Sequence, residues 1–158
     1  MISSLLFLFS LVLVELFEVQ MLLSFMQRYK AKITTSKITL TDVPVVQAFS
    51  LQGFTGLRNT PPPPSTVTDP NDPRVPKMLF IVSPSSSTNL IVTGVGMQYD
   101  LDIIFLYNNT VVDVAYLAKG TTYIPKSRVT HFLEIYHGII PSNMMPVIGE
   151  NVNITIYQ

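Results

Sequence analysis

The sequence predicts a mainly β domain, α+β at most, preceded by one hydrophobic helix. Three observations predict it. Residues 2–26 are almost wholly apolar. Beyond them, short segments rich in Val, Ile, Thr and aromatic residues recur between Gly, Pro and Asn turn signals. No apolar pattern of period 3.6 and useful length follows the first segment.

The N-terminal run reads ISSLLFLFSLVLVELFEVQMLLSFM. A helix rises about 1.5 Å per residue, so this run crosses a hydrocarbon core of about 30 Å. It lacks a basic residue before it and a small-x-small motif after it, both of which a cleaved signal peptide carries. The expectation is therefore an uncleaved single-pass anchor over residues 1–32, including its basic flank of Arg28, Lys30 and Lys32. Glu15 and Glu18 share one face of that helix. A carboxylate inside a bilayer costs about 2.5–3.5 kcal/mol on insertion scales. The pair therefore suggests contact with a second helix, either a protein partner or another copy, or else a position shallow enough to draw water. The three basic residues after the run place the following domain in the cytoplasm by the positive-inside rule.

The next elements follow in order. ITTSKITL (33–40) alternates and reads as a strand, and a further strand is expected within Pro44–Leu57. Residues 61–76 hold seven prolines and cannot form a regular element. Strands are then expected at 78–82, 90–97, 101–107, 110–117 and 152–157, with Asn108-Asn109 turning a hairpin, and 130–136 reads as a strand or a short helix. A short helical turn fits within 139–148, between Pro141 and Pro146.

Composition limits the function. Net charge is zero and 13% of residues are charged, so no basic field for nucleic acid exists. The absence of cysteine excludes disulfides, thiolate catalysis and zinc–thiolate sites. No P-loop, dinucleotide-binding, zincin or nucleophile-elbow pattern occurs. Gly94-Val95-Gly96 is too short to cradle a phosphate and reads as a strand bend. His131 and His137, six apart, share a face on a strand, with Glu134 on the other face, so they make no compact metal triad. Asp100 and Asp102 point the same way, and paired carboxylates can do acid–base work or hold a cation. Asp102 opens an otherwise apolar strand. It is read either as a structural acceptor fixing the turn at 97–100 or as a ligand contact beside Met97 and Tyr99. Asn108-Asn109-Thr110 and Asn153-Ile154-Thr155 fit the glycan-acceptor triplet. No catalytic residue, metal or cofactor is assigned.

The order of blocks resembles the DUF192 family. MLFIV (78–82), GMQYDLDIIFLYNNTVVDV (96–114) and HFLEIYHGIIPSNMMPVIGENVNI (131–154) carry the resemblance, which spans about residues 45–157. Leu101-Asp102-Ile103-Ile104-Phe105 matches the family's L-D-I-I-F core, Leu133-Glu134 and Gly138 its L-E and G positions, and Gly149-Glu150 stands where G-D is usual. Thr55-Gly56-Leu57-Arg58 corresponds to its R-G-L-M element. Asp100 replaces the family's proline, Thr93-Gly94 its W-M pair, and Arg58 its methionine. The resemblance implies a compact domain over 33–158 with barrel-like sheet packing. It implies that 61–76 is an expanded loop, not a domain boundary. It also implies an extracytoplasmic setting, against the positive-inside rule, and no enzymatic activity.

The expected function is accordingly a membrane-anchored, non-enzymatic domain that binds a partner or ligand, with Met97, Tyr99, Asp102 and Glu134 as candidate groove contacts and no nucleic-acid partner. The alternative is a structural subunit of a larger membrane complex, virion or surface filament, held through Glu15 and Glu18. A third reading is a hydrolase or cation-dependent enzyme using Asp100, Asp102 and Glu134.

Overall fold

The computed structural model describes residues 29–48 and 57–158. The expected anchor, with Glu15 and Glu18, lies outside the described residues. Among those described, no helix is long and apolar enough to cross a membrane.

Among the described residues nine strands form: β1 (Lys30–Thr34), β2 (Thr39–Ala48), β3 (Lys77–Val82), β4 (Val92–Thr93), β5 (Leu101–Tyr107), β6 (Thr110–Leu117), β7 (Thr122–Tyr123), β8 (His131–Tyr136) and β9 (Asn153–Tyr157). Seven make one mixed sheet in the order β6-β5-β8-β3-β2-β1-β9, and β4 with β7 makes a second, small one. The expectation of a mainly β domain holds.

Residues 33–40 do not form one strand. The Thr35 hydroxyl accepts the amides of Lys37 and Ile38, each at 3.1 Å, and the chain folds there into the β1–β2 hairpin. Local capture of backbone amides by a threonine is a known competitor of extended structure. β1 also starts at Lys30, inside the stretch assigned to the anchor's flank, because it pairs with β2 on one side and β9 on the other. The stretch read as a strand over 90–97 keeps only two strand residues and then turns at 94–97, where the Met97 amide donates to Gly94 O at 3.1 Å.

β5 and β8 lie inside the sheet and are buried on both faces, which explains why they read as nearly continuous apolar runs. Leu101, Ile103, Phe105, Phe132, Met78 and Phe80 supply one core. Ile104, Leu106, Leu133, Ile135, Leu79 and Val45 supply the other. Phe80 stacks on Phe132 at 4.5 Å in the first core. The second core leaves a void of about 10 Å³ between Ile33, Leu40, Ile104, Leu133 and Val152. Its apolar lining offers water no partner.

The sheet curls until its two ends meet at one corner. Thr110, opening β6, bridges to Asn151 just before β9. Three backbone bonds surround that bridge: Val111 N to Glu150 O (2.9 Å), Gly149 N to Val111 O (2.8 Å) and Val152 N to Asn109 O (2.7 Å). Glu150 fastens the corner to the β1–β2 turn by accepting the Ser36 amide and hydroxyl at 2.9 and 2.6 Å.

The proline-rich stretch is irregular but docked. Asn71 Nδ2 donates to Thr39 O at 2.9 Å, Asn71 Oδ1 accepts the Thr41 amide at 2.8 Å, and Val75 is buried in the second core. The turn expected within 139–148 is a single 3-10 turn at Ser142–Met144.

Candidate functional site

Glu134 lies near the middle of β8, the strand between β3 and β5. Its neighbours in register are Met78 and Ile103. Strand alternation puts its side chain on the same face as Phe132 and Tyr136. Met97 and Tyr99 are buried in that same core. The Tyr99 ring packs 5.3 Å from that of Tyr136. Tyr99 OH donates to Leu57 O at 3.4 Å.

Glu134 is 2% exposed, and its Oε2 has no hydrogen-bond partner among the described residues. Burial alone pushes its carboxyl up to about 8, because the charged form loses its hydration and gains nothing in return. The Tyr99 phenol is raised as well, first by burial and then by the neighbouring Glu134 charge. Neither ion pair among the described residues involves Glu134. The result is an acid held neutral at ordinary pH, with one oxygen unpartnered among the described residues that can donate its proton or accept a hydrogen bond.

Asp102 belongs elsewhere. Alternation along β5 puts it on the face of Ile104 and Leu106, opposite to Tyr99 and Glu134. Its Oδ1 accepts the Nδ1 proton of His137 at 2.7 Å and its Oδ2 accepts the Gly138 amide at 3.0 Å. A carboxylate is an acceptor only, so His137 carries a proton on Nδ1. The turn that Asp102 fixes is therefore the one after β8. Gly138 lies there at φ +82, a conformation that glycine adopts without strain.

The turn before β5 is fixed by Asp100 instead. Its Oδ2 accepts Tyr116 OH at 2.6 Å and its Oδ1 the Lys119 amide at 2.9 Å. The Tyr116 bond, then the Lys119 amide, hold this carboxyl below its usual range. Tyr116, the cross-strand partner of Asp102, packs edge-on against His137 at 4.6 Å. Asp100, Asp102, Tyr116 and His137 thus form a polar rim at the ends of β5, β6 and β8.

The structure brings together Met97, Tyr99 and Glu134 among the candidate contacts and leaves Asp102 on the opposite face. The three carboxylates Asp100, Asp102 and Glu134 do not converge. Among the described residues, no group of three His, Asp or Glu could hold a metal ion. His131 does not join His137: it lies at the far end of β8, where burial lowers its pKa and its Nδ1 meets Thr130 Oγ1 at 2.9 Å. Sequence reasoning missed His137 and Tyr116 as partners of the two aspartates. The register β5–β6, fixed by the Asn108-Asn109 turn, was the available signal for Tyr116.

No protein-family model and no curated protein sequence matches the chain. Two solved structures share its fold. One is a protein of unknown function from Novosphingobium aromaticivorans DSM 12444, with TM-score 0.51 and 14% identity over 78% of this chain and 82% of that one. The other is a candidate transcription regulator from Sinorhizobium meliloti 1021, with TM-score 0.53 and 15% identity over 80% of this chain and 92% of that one. At such identities the likeness speaks for the fold alone.

Proposed function

We propose that this chain is a membrane-tethered, non-enzymatic β domain of the DUF192 kind, exposed outside the cell, that binds a ligand through Glu134. The observation that carries the reading is the Glu134 carboxyl, buried among apolar and aromatic side chains with one oxygen unpaired among the described residues. Leaving a buried polar atom unpaired costs about 1–3 kcal/mol. An apolar residue of the same size avoids that cost, so stability does not explain a glutamate there. A ligand that supplies the missing hydrogen-bond partner does. Met97 and Tyr99, packed over the same face, form the apolar part of the contact.

Such a ligand has an apolar body and one polar group that hydrogen-bonds a carboxylic acid, such as an amide or an amine. The experiment is a methyl and aromatic NMR titration of the domain with butylamine and N-methylbutanamide. Saturable shifts at Met97, Tyr99 and Met78 that vanish in Glu134→Met support the reading. Equal shifts in both proteins, or none in either, contradict it.

The tether rests on the apolar run 2–26, and only Gln27, Arg28 and Tyr29 separate that run from β1. A domain so closely attached is held against the bilayer surface. Protease treatment of intact cells tests its side: protection of the domain until the membrane is opened contradicts the exterior placement.

One observation favours the alternative, a subunit of a larger membrane complex. Ile91 and Ile124, next to the paired Val92 and Tyr123 of the small sheet, are 61% and 66% exposed. Adjacent exposed apolar side chains suit a protein contact. A clean monomer in detergent, unchanged by Ile124→Ser, counts against it.

A further inference from the structure

We propose that Asn108 and Asn153 accept N-linked glycans and that the two sugar chains cover the corner where the ends of the sheet meet. The inference rests on the exterior placement proposed above. Asn108-Asn109-Thr110 and Asn153-Ile154-Thr155 are the two acceptor triplets of the chain, and neither has proline in the middle.

Both asparagines are exposed on the folded domain, and beside the first the Thr110 hydroxyl donates to Asn151 Oδ1 at 3.3 Å. Asn108 begins the two-residue turn between β5 and β6 at φ +53 and is exposed. Its backbone amide donates to Thr130 Oγ1 at 2.7 Å. Its side-chain amide has no partner among the described residues. On β9, Ile154 packs against the second core, so alternation turns Asn153 and Thr155 to the solvent, and both are exposed. The Asn153 side chain is likewise unpartnered among the described residues.

The two acceptors are neighbours in space. The bond from Val152 N to Asn109 O, 2.7 Å, joins the residue before Asn153 to the residue after Asn108. Both sites therefore sit at one corner, far along the chain but adjacent in the fold. Beyond the Thr110–Asn151 bridge, β9 is the last strand in the sheet order and its outer side has no strand partner among the described residues. Open edges invite pairing with another chain, and a bulky hydrophilic group on the edge blocks it. A glycan on Asn153 would do so.

In the transfer, the side-chain amide nitrogen attacks the anomeric carbon of an oligosaccharide linked to a polyisoprenyl phosphate. A C–N bond forms, the C–O bond to phosphate breaks, the lipid phosphate leaves, and the amide gives up one proton. No electron changes hands. The donor class is met on the exterior side of the membrane.

The test uses the full chain purified from its own cell membranes, analysed by glycopeptide mass spectrometry, with protease shaving of the intact cells in parallel. The expected result is a sugar mass on both asparagines. Asn108→Gln and Asn153→Gln each remove one, Thr155→Val removes the Asn153 glycan without touching the acceptor, and loss at Asn153 raises self-association in sedimentation. Unmodified asparagines in a domain that protease reaches overturn this inference and leave the exterior placement standing. Unmodified asparagines in a protected domain overturn both. Sugar on one site alone overturns the shared cover at the corner.

Discussion

Asp102 and His137 are 35 positions apart in the chain, and the 2.7 Å bond between Oδ1 and Nδ1 ties the start of β5 to the turn after β8. The same carboxylate holds the Gly138 amide. One buried side chain therefore closes the turn that returns the chain from β8, and its partner imidazole is half exposed.

Asp102→Asn keeps the shape and removes the charge. An uncharged amide cannot accept both bonds through oxygen, so one donor loses its partner. The expected cost is about 1–3 kcal/mol, seen as a melting temperature lowered by several degrees. His137→Ala exposes no buried donor and is expected to cost less. Equal stability of Asp102→Asn and wild type contradicts the structural role.

Gly96 carries a second, sharper constraint. It lies at φ +82, and a Cβ there would meet Arg58 Nε at 2.8 Å. Arg58 crosses at this point to donate from Nη2 to Val95 O at 2.9 Å. Gly96→Ala forces a left-handed residue at about 1–2 kcal/mol and displaces the guanidinium. Urea unfolding should show a lower midpoint with an unchanged slope.

Glu150 gives the corner an acid sensitivity. The Ser36 hydroxyl, then the Ser36 and Val147 amides, lower its pKa. A depressed carboxyl contributes stability above its ordinary value of 4.5, and that contribution is lost as pH falls through the depressed value. Glu150→Gln should be less stable than wild type at pH 7 and match it in acid. Denaturant midpoints at the two pH values check this, and a gap that persists in acid contradicts it.

Glu134 acts in the opposite direction. Its folded value of about 8 lies above the ordinary 4.5, so the native state holds a proton that the unfolded chain has released. The contribution is fully present below about 4.5 and is lost as pH rises through about 8, by up to about 1.4 kcal/mol per unit in between. Glu134→Gln cannot ionise and should flatten this decline. Unfolding free energies from pH 5 to 9 check it, and parallel profiles for the two proteins contradict it.

Much of the sheet was legible in the sequence because β5, β6 and β9 carry strong local patterns, whereas 130–136 suited a strand or a short helix equally. Leu101–Tyr107 and Thr110–Leu117, joined by two asparagines, could only be a hairpin. The failures have physical causes. β7 has two residues, Thr122 and Tyr123, which pair with β4 while Tyr123 OH donates to the buried Asp113 at 2.6 Å, tertiary contacts with no local signature. The split of 33–40 turns on one threonine hydroxyl. Met97, Tyr99 and Glu134 could be named as one group, but alternation alone does not say that Asp102 faces away from them. That needs the register of β5 against β8. The pairing of Asp102 with His137 needs the same register and a turn besides.

The central claim is that Glu134 is kept for a ligand and not for the fold. Thermal unfolding of Glu134→Met without ligand tests it most directly, because methionine has similar length and no polar atom to leave unpaired. A glutamate retained at a cost in stability predicts a variant that melts at or above the wild-type temperature. A variant that melts several degrees lower would show that the carboxyl supports the core, and would contradict the claim.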